Sequence, residues 1–214
     1  MILLDPVELA KREMLLYSRA ARDYDLTAGG VGFEKQAAWL KSAVSGYRVL
    51  DLCCGTGRYF DYVNCPQIVG IDLSVEMLSI AKRRATYGTH LVLGSVSDLP
   101  FRPRIFDSIF SIGSLGVHVP ITTKLLGSLR TLLEDDGTLV FTSNSMRAHW
   151  KQTLIRTLHD ILGIKPTRWY PFQPFSESKI GLRLKLSRAG FRPRITSTSF
   201  NSRALIVEAK IAAR

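Results

Sequence analysis

The run Val49-Leu50-Asp51-Leu52-Cys53-Cys54-Gly55-Thr56-Gly57 most narrows the folds open to this chain. A short buried strand leads into a loop of small residues, whose glycines let the backbone approach a bound molecule closely. A second apolar run, Ile68-Val69-Gly70-Ile71, closes on Asp72, 17 residues after Gly55. In doubly wound sheets a carboxylate at that point can accept from both hydroxyls of an adenosine ribose. Ligands in such sheets sit beyond the carboxyl ends of the strands, near the point where strand order reverses.

The flanking pattern supports a sheet of that kind. Residues 6–22 read as a helix opening at Pro6, broken by Thr27-Ala28-Gly29-Gly30, and residues 33–44 as a second helix stopped by Ser45-Gly46. After the strand at 48–52, residues 57–63 read as a short helix whose N-terminus the glycine loop feeds. Ser74 caps a helix carrying Met77, Leu78 and Ala81. Strands follow at 90–93 and 105–112. Pro120 opens a helix that ends at Asp136-Gly137, and 138–142 is a fifth strand. Short buried strands separated by helices indicate a parallel sheet covered on both faces. Residues 146–162 place Met146, Trp150, Leu154, Leu158 and Ile161 on one helical stripe, and 164–175 read as a proline- and aromatic-rich loop. Residues 176–189 fit a strand by alternation or a helix by spacing of four. Two strands, 193–199 and 203–211, close the chain around Asn201-Ser202.

A nicotinamide-binding fold would carry a third loop glycine to cradle a pyrophosphate. Here Arg58-Tyr59-Phe60 follows Gly57 instead. The chain resembles the class I S-adenosylmethionine-dependent methyltransferases, and within them the small-molecule branch that includes the ubiquinone/menaquinone C-methyltransferases. The resemblance rests on Asp51-Leu52-Cys53-Cys54-Gly55-Thr56-Gly57, on Ile71-Asp72-Leu73-Ser74 with Met77-Leu78, on Gly94 to Phe101, on Phe106-Asp107 and on Ala189-Gly190-Phe191. Leu132 to Leu139 stands where that family usually has a Pro-Gly-Gly turn, a departure from the quinone branch.

The resemblance implies an α/β fold: a doubly wound, seven-stranded, mostly parallel sheet with an antiparallel last strand, of the Rossmann-like type. It implies one domain over 1–214, with N-terminal helices in 1–45, a cofactor-binding half in 46–144, an acceptor-side insertion in 145–178, and a closing helix and strand pair in 179–214. It favours helix for 176–189. S-adenosyl-L-methionine is the implied cofactor. Asp51, Cys53, Gly55, Thr56 and Gly57 would face its methionine part, and Asp72 its ribose. Leu73 and Met77 would pack on adenine, Val96 would meet it through its backbone, Ile112 is a further cofactor-binding residue, and Tyr24 falls where many relatives place a tyrosine near the cofactor. Ser95 stands where relatives usually carry an aspartate to accept from the adenine amino group; a neutral hydroxyl makes a weaker hydrogen bond there.

Methyl transfer needs alignment first, and for an oxygen or nitrogen acceptor also a base. His118 follows the fourth strand on the ligand edge and is the candidate base, ahead of His149. The two adjacent cysteines read as cofactor-facing backbone rather than as nucleophiles. Trp150, Trp169, Tyr170, Phe172 and Phe175, set among Arg147, Lys151, Arg156, Lys165 and Arg168, are expected to build the acceptor pocket.

Charge bears on the partner. The net charge is +11, and residues 1–139 hold 15 Lys/Arg against 15 Asp/Glu. Residues 140–214 hold 14 against 3, so the whole excess lies in the last third. A small, anionic or amphiphilic acceptor is the first expectation. Nucleic acid or an acidic membrane surface is the second, and a non-catalytic S-adenosylmethionine-binding partner protein a third. Three cysteines form a poor disulfide framework, no stretch approaches a membrane span, and the opening residues do not read as a secretory signal, so a cytoplasmic setting is expected.

Overall fold

A computed structural model describes residues 6–28, 33–145, 175–197 and 204–212. The expected stripe over 146–162, most of the aromatic loop, His149, Gly29-Gly30 and the turn at Asn201-Ser202 lie outside the described residues. Seven strands form one sheet: β1 Arg48–Leu52, β2 Gln67–Asp72, β3 Thr89–Leu93, β4 Phe106–Ser111, β5 Leu133–Asn144, β6 Phe191–Ser197 and β7 Ala204–Ile211. Their order is β3-β2-β1-β4-β5-β7-β6. β3, β2, β1, β4 and β5 run parallel, whereas β7 is antiparallel to both β5 and β6. This is the expected mostly parallel sheet with an antiparallel last strand.

Successive side chains of the central strands enter two different cores, which is why these strands are apolar throughout. Leu50, Ile109 and Phe141 belong to one cluster, with Leu126, Leu129, Leu182 and Leu186 from α5 Thr123–Leu132 and α6 Lys179–Arg188. Val49, Phe110 and Val140 belong to the other, with Leu40 of α3 Phe33–Ala43 and Phe60. The remaining helices are α1 Pro6–Ala20, α2 Tyr24–Ala28 and α4 Val75–Ala81, with 3-10 turns at Ala21–Asp23 and Phe60–Tyr62. No helix among the described residues is long and apolar enough to cross a membrane.

α6 settles the ambiguous segment. Leu182 and Leu186 are fully buried while Leu184 is 53% exposed, so the spacing of four prevails over alternation. Burying two leucines contributes about 1.5–3 kcal/mol each. The Ser178 hydroxyl caps the helix by accepting from Gly181 N–H at 3.0 Å, and Gly190, at φ +85°, follows its end.

Three local expectations are corrected. Residues 57–63 form only the 3-10 turn Phe60–Tyr62, so the glycine loop does not feed an α-helix N-terminus. The helix expected from Pro120 begins at Thr123, because the Thr122 hydroxyl accepts from Leu125 N–H at 3.1 Å and fixes the start there. That helix ends at Leu132 rather than at Asp136-Gly137. Leu133 already pairs with Phe106, and a register shift follows before Ser108 pairs with Thr138.

The two sheet edges differ. β6 carries exposed Arg192 and Arg194 around Pro193, whereas β3 ends in Leu93, 59% exposed, and is preceded by the fully exposed Tyr87.

Candidate functional site

Strand order reverses between β1 and β4, and a cleft opens at their carboxyl ends. Its back wall is the loop that leaves β1. Cys53, Gly55 and Gly57 have φ of +61°, +54° and +68°, so the loop turns through three left-handed residues. At Gly57 a Cβ would lie 2.4 Å from the Phe60 ring, whereas at Gly55 it would meet nothing within 4 Å. Gly57 thus fits the loop to its own core, and Gly55 leaves the backbone open to the cleft.

Asp72 ties this loop to the end of β2. Its Oδ2 accepts from Gly55 N–H at 2.8 Å and its Oδ1 from Ser74 N–H at 3.0 Å. Burial raises its carboxyl pKa, opposed by those backbone donors. Asp51, on β1, is buried and lines the same cleft, and its Oδ2 has no hydrogen-bond partner among the described residues. Burial, and then the charge of Asp72, push its pKa well up. A buried acceptor without a donor costs about 1–3 kcal/mol, so the site calls for a cationic or hydrogen-donating ligand group at Asp51. Burial also drives the Cys53 and Cys54 thiols far up, which keeps them protonated and unsuited to nucleophilic attack.

Arg58 supplies the opposite charge. Its guanidinium lies over the Phe33 ring, 4.1 Å from the centroid, and its buried Nε has no hydrogen-bond partner among the described residues. The lower wall is apolar, with Leu73, Met77, Val96 and Ile112. Ser74 holds Met77 in place by capping α4, accepting from Met77 N–H at 3.1 Å.

The N-terminal segment covers the mouth. Met14, Tyr17 and Tyr24 line the cleft. Tyr17 Oη and His118 Nε2 are hydrogen-bonded at 2.7 Å, with their rings edge-on at 5.3 Å. Asp25 docks the segment onto the glycine loop: its Oδ1 accepts from the Thr56 hydroxyl and its Oδ2 pairs with Arg84, both at 2.8 Å. Arg84 also donates to the Thr56 carbonyl at 2.8 Å. Ser18 donates to Glu76 Oε2 at 2.5 Å, fixing α1 against the start of α4.

The cleft gathers eleven of the thirteen residues expected from the sequence, including Tyr24, Thr56, Ile112 and His118. Gly57 and Ser95 do not line it. The Ser95 hydroxyl accepts from Ser97 N–H at 3.1 Å, closing its own loop, and Asp98 is exposed. Met14, Tyr17, Arg58, Tyr59 and Ser114 line the cleft without having been singled out. Arg58 carried one available signal, a cation directly after the last loop glycine. Tyr17 carried none, since its partner lies 101 residues away.

Residues 49–137 match the profile of a family described as "Methyltransferase domain". Over 146 residues the chain is 28% identical to a demethylmenaquinone methyltransferase of Staphylococcus saprophyticus, covering 61% of this chain and 62% of that protein. An uncharacterized protein of Methanocaldococcus jannaschii is 33% identical over 102 residues, 48% of this chain and 39% of that protein. The chain thus spans about 62% of the length of the staphylococcal relative. Among solved structures, a DhpI–SAH complex superposes with a TM-score of 0.70 at 18% identity, over 98% of this chain and 100% of that one. The [4+2]-cyclase SpnF superposes at 0.73 and 15% identity, over 96% and 97%. At such identities these two likenesses establish the fold alone.

Proposed function

We propose that the chain is a class I S-adenosylmethionine-dependent methyltransferase that transfers the methyl group of S-adenosylmethionine to a small-molecule acceptor, in a cytoplasmic setting. The observation that carries this reading is the pair of carboxylates at the glycine loop. Asp51 has an unsatisfied oxygen, and Asp72 closes the neighbouring strand. The relatives' name favours a small acceptor, and the solved fold neighbours add only the fold.

When bound, S-adenosylmethionine supplies an electrophilic methyl group on a sulfonium. The chain's own residues fit its other parts. Asp51 accepts from the ammonium, giving its orphan oxygen a donor. Arg58 takes the carboxylate, so the two unsatisfied cleft groups match the two charges of an amino acid. Asp72 keeps lone pairs for the ribose hydroxyls beside the two backbone donors it already serves. Leu73, Met77, Val96 and Ile112 pack on the adenosine. Tyr24, Cys53, Gly55 and Thr56 enclose the methionine end, and Gly57 shapes the loop from beneath.

At the acceptor side, Tyr17 and His118 form a hydrogen-bonded pair that can take a proton from an oxygen or nitrogen acceptor. The pair orients the imidazole, and alignment of the acceptor supplies most of the rate. The excess of basic residues after position 139 favours an anionic or amphiphilic acceptor.

Calorimetry on the purified chain tests the reading. S-adenosylmethionine is expected to bind in the micromolar range, about −8 kcal/mol at 1 μM. An acceptor screen with labelled cofactor should then yield S-adenosylhomocysteine. No binding at millimolar ligand refutes the assignment, and binding without turnover on any acceptor leaves a cofactor-binding partner protein in its place.

A further inference from the structure

A second depression lies beside the N-terminal cover, lined by Arg22, Asp25, Ile80, Arg83 and Arg84. Three guanidinium groups meet there against one carboxylate. Asp25 and Arg84 are committed to each other and to Thr56. Arg22 and Arg83 are exposed, and neither has an ion-pair partner among the described residues. They belong to different parts of the fold. Arg22 sits in the 3-10 turn Ala21–Asp23 of the cover, which packs on α4, and Arg83 sits in the turn that follows α4.

Like charges lining one concavity repel and raise the local concentration of anions. Guanidinium forks match the oxygens of a phosphate in a bidentate manner. We propose that this depression is a phosphate-binding site, in which a dianion bridges Arg22 and Arg83 and pins the N-terminal cover to the body. Two uncommitted cations, with Asp25 neutralised by Arg84, suit a charge of −2 better than the single charge of a phosphodiester. The bound group is inorganic phosphate or a phosphomonoester, two sources of the same chemistry.

The site reaches the cleft through a short route. Asp25 lines the depression and also accepts from Thr56 in the glycine loop, and its neighbour Tyr24 lines the cleft. A dianion that offsets the Arg22–Arg83 repulsion therefore holds Tyr24 and Asp25 in their docked positions. The dianion pins the turn Ala21–Asp23 directly and α2 through the chain that follows it, an effect measurable without any cofactor.

Phosphorus NMR titration of the full chain with inorganic phosphate, at constant ionic strength set by chloride, measures the site directly. Hydrogen exchange of the Tyr24–Ala28 amides, with and without phosphate, measures the pinning. We expect saturable binding, severalfold slower exchange in Tyr24–Ala28, and about tenfold weaker phosphate binding in both Arg22→Ala and Arg83→Ala. Both substitutions are at exposed side chains, so the variants should fold like the parent. Glycerol 3-phosphate, titrated in parallel, distinguishes the sources: tighter binding than inorganic phosphate assigns the site to a phosphomonoester, weaker binding to the free ion. Binding that is absent, or that survives both substitutions, overturns the proposal. So does binding that leaves exchange in Tyr24–Ala28 unchanged. Capture on phosphatidylglycerol vesicles that depends on Arg22 and Arg83, without binding of free phosphate, also overturns it, in favour of a membrane contact. Because none of these readouts involves S-adenosylmethionine, failure here is separable from failure of the methyltransferase reading.

Discussion

Replacing Asp72 by alanine should separate the residue's structural work from its work on a ligand. In the ligand-free fold its two oxygens accept from Gly55 N–H and Ser74 N–H at 2.8 and 3.0 Å. A hydrogen bond to a charged acceptor is worth about 1.5–3 kcal/mol. Losing two would subtract up to about 6 kcal/mol if nothing compensated. Two effects do compensate. The carboxylate is buried enough that its pKa is raised despite those donors, so removing it recovers part of a desolvation penalty. It also lies close enough to Asp51 to raise that residue's pKa, and this repulsion disappears with it. We expect Asp72→Ala to lose about 2 kcal/mol of stability without ligand, or about 4–8 °C in melting temperature for a chain of this size. Asp72→Asn keeps one acceptor oxygen and should lose about half as much. Urea denaturation of both variants, free of ligand, gives these values. For S-adenosylmethionine, calorimetry on folded protein should show both variants weakened by about 2–3 kcal/mol, since neither offers a charged acceptor to the ribose. An alanine variant as stable as the parent would refute the loop-tethering argument, and unchanged affinity in both would place the ribose elsewhere.

Three further outcomes follow from the geometry. Asp51 has a folded pKa raised above its usual 3.8, so its contribution is fully present below pH 3.8 and is lost as pH rises through the raised value; across that window the ligand-free parent should lose stability relative to Asp51→Asn, and identical pH dependences in urea unfolding would contradict it. Tyr17→Phe removes the hydroxyl paired with His118 Nε2 and should lower kcat about tenfold, with KM for S-adenosylmethionine unchanged in steady-state kinetics. Unchanged kcat, or a raised KM with kcat unchanged, would refute this role. Gly57→Ala would place a Cβ 2.4 Å from Phe60 Cε2 at φ +68°, and should cost about 2–4 kcal/mol in thermal denaturation; a loss under about 0.5 kcal/mol would show that the ring moves freely.

What was legible in the sequence was what is local. Strand-to-loop transitions at Asp51 and Asp72, the Ser74 cap and the end of α6 at Gly190 each depend on neighbours within a few positions. The misreadings had local causes at Thr122 and Phe60 and a distant one at Leu133. Arg58 to Val63 has helix-compatible composition, but the Phe60 ring is taken up beneath Gly57 and only one 3-10 turn forms. Leu133 to Asp136 continued a helical pattern, yet Leu133 is recruited by Phe106 into the sheet. The apolar residues of α1 showed a helix without showing its contacts: Tyr17 meets His118, while Leu15 is left 54% exposed.

The unequal ends of the sheet have a consequence for how the chain fails. An open strand edge offers unpaired backbone groups to any other chain that reaches it, and charge and proline are the common guards. β6 has both, in Arg192, Pro193 and Arg194. β3 has neither, and it presents Leu93 and the nearby Tyr87 to solvent. When heat or mutation loosens the fold, self-association should therefore begin along β3, with the opposite edge acting as a bystander. A lysine in place of Leu93 would protect the protein from precipitation while leaving its melting point nearly unchanged.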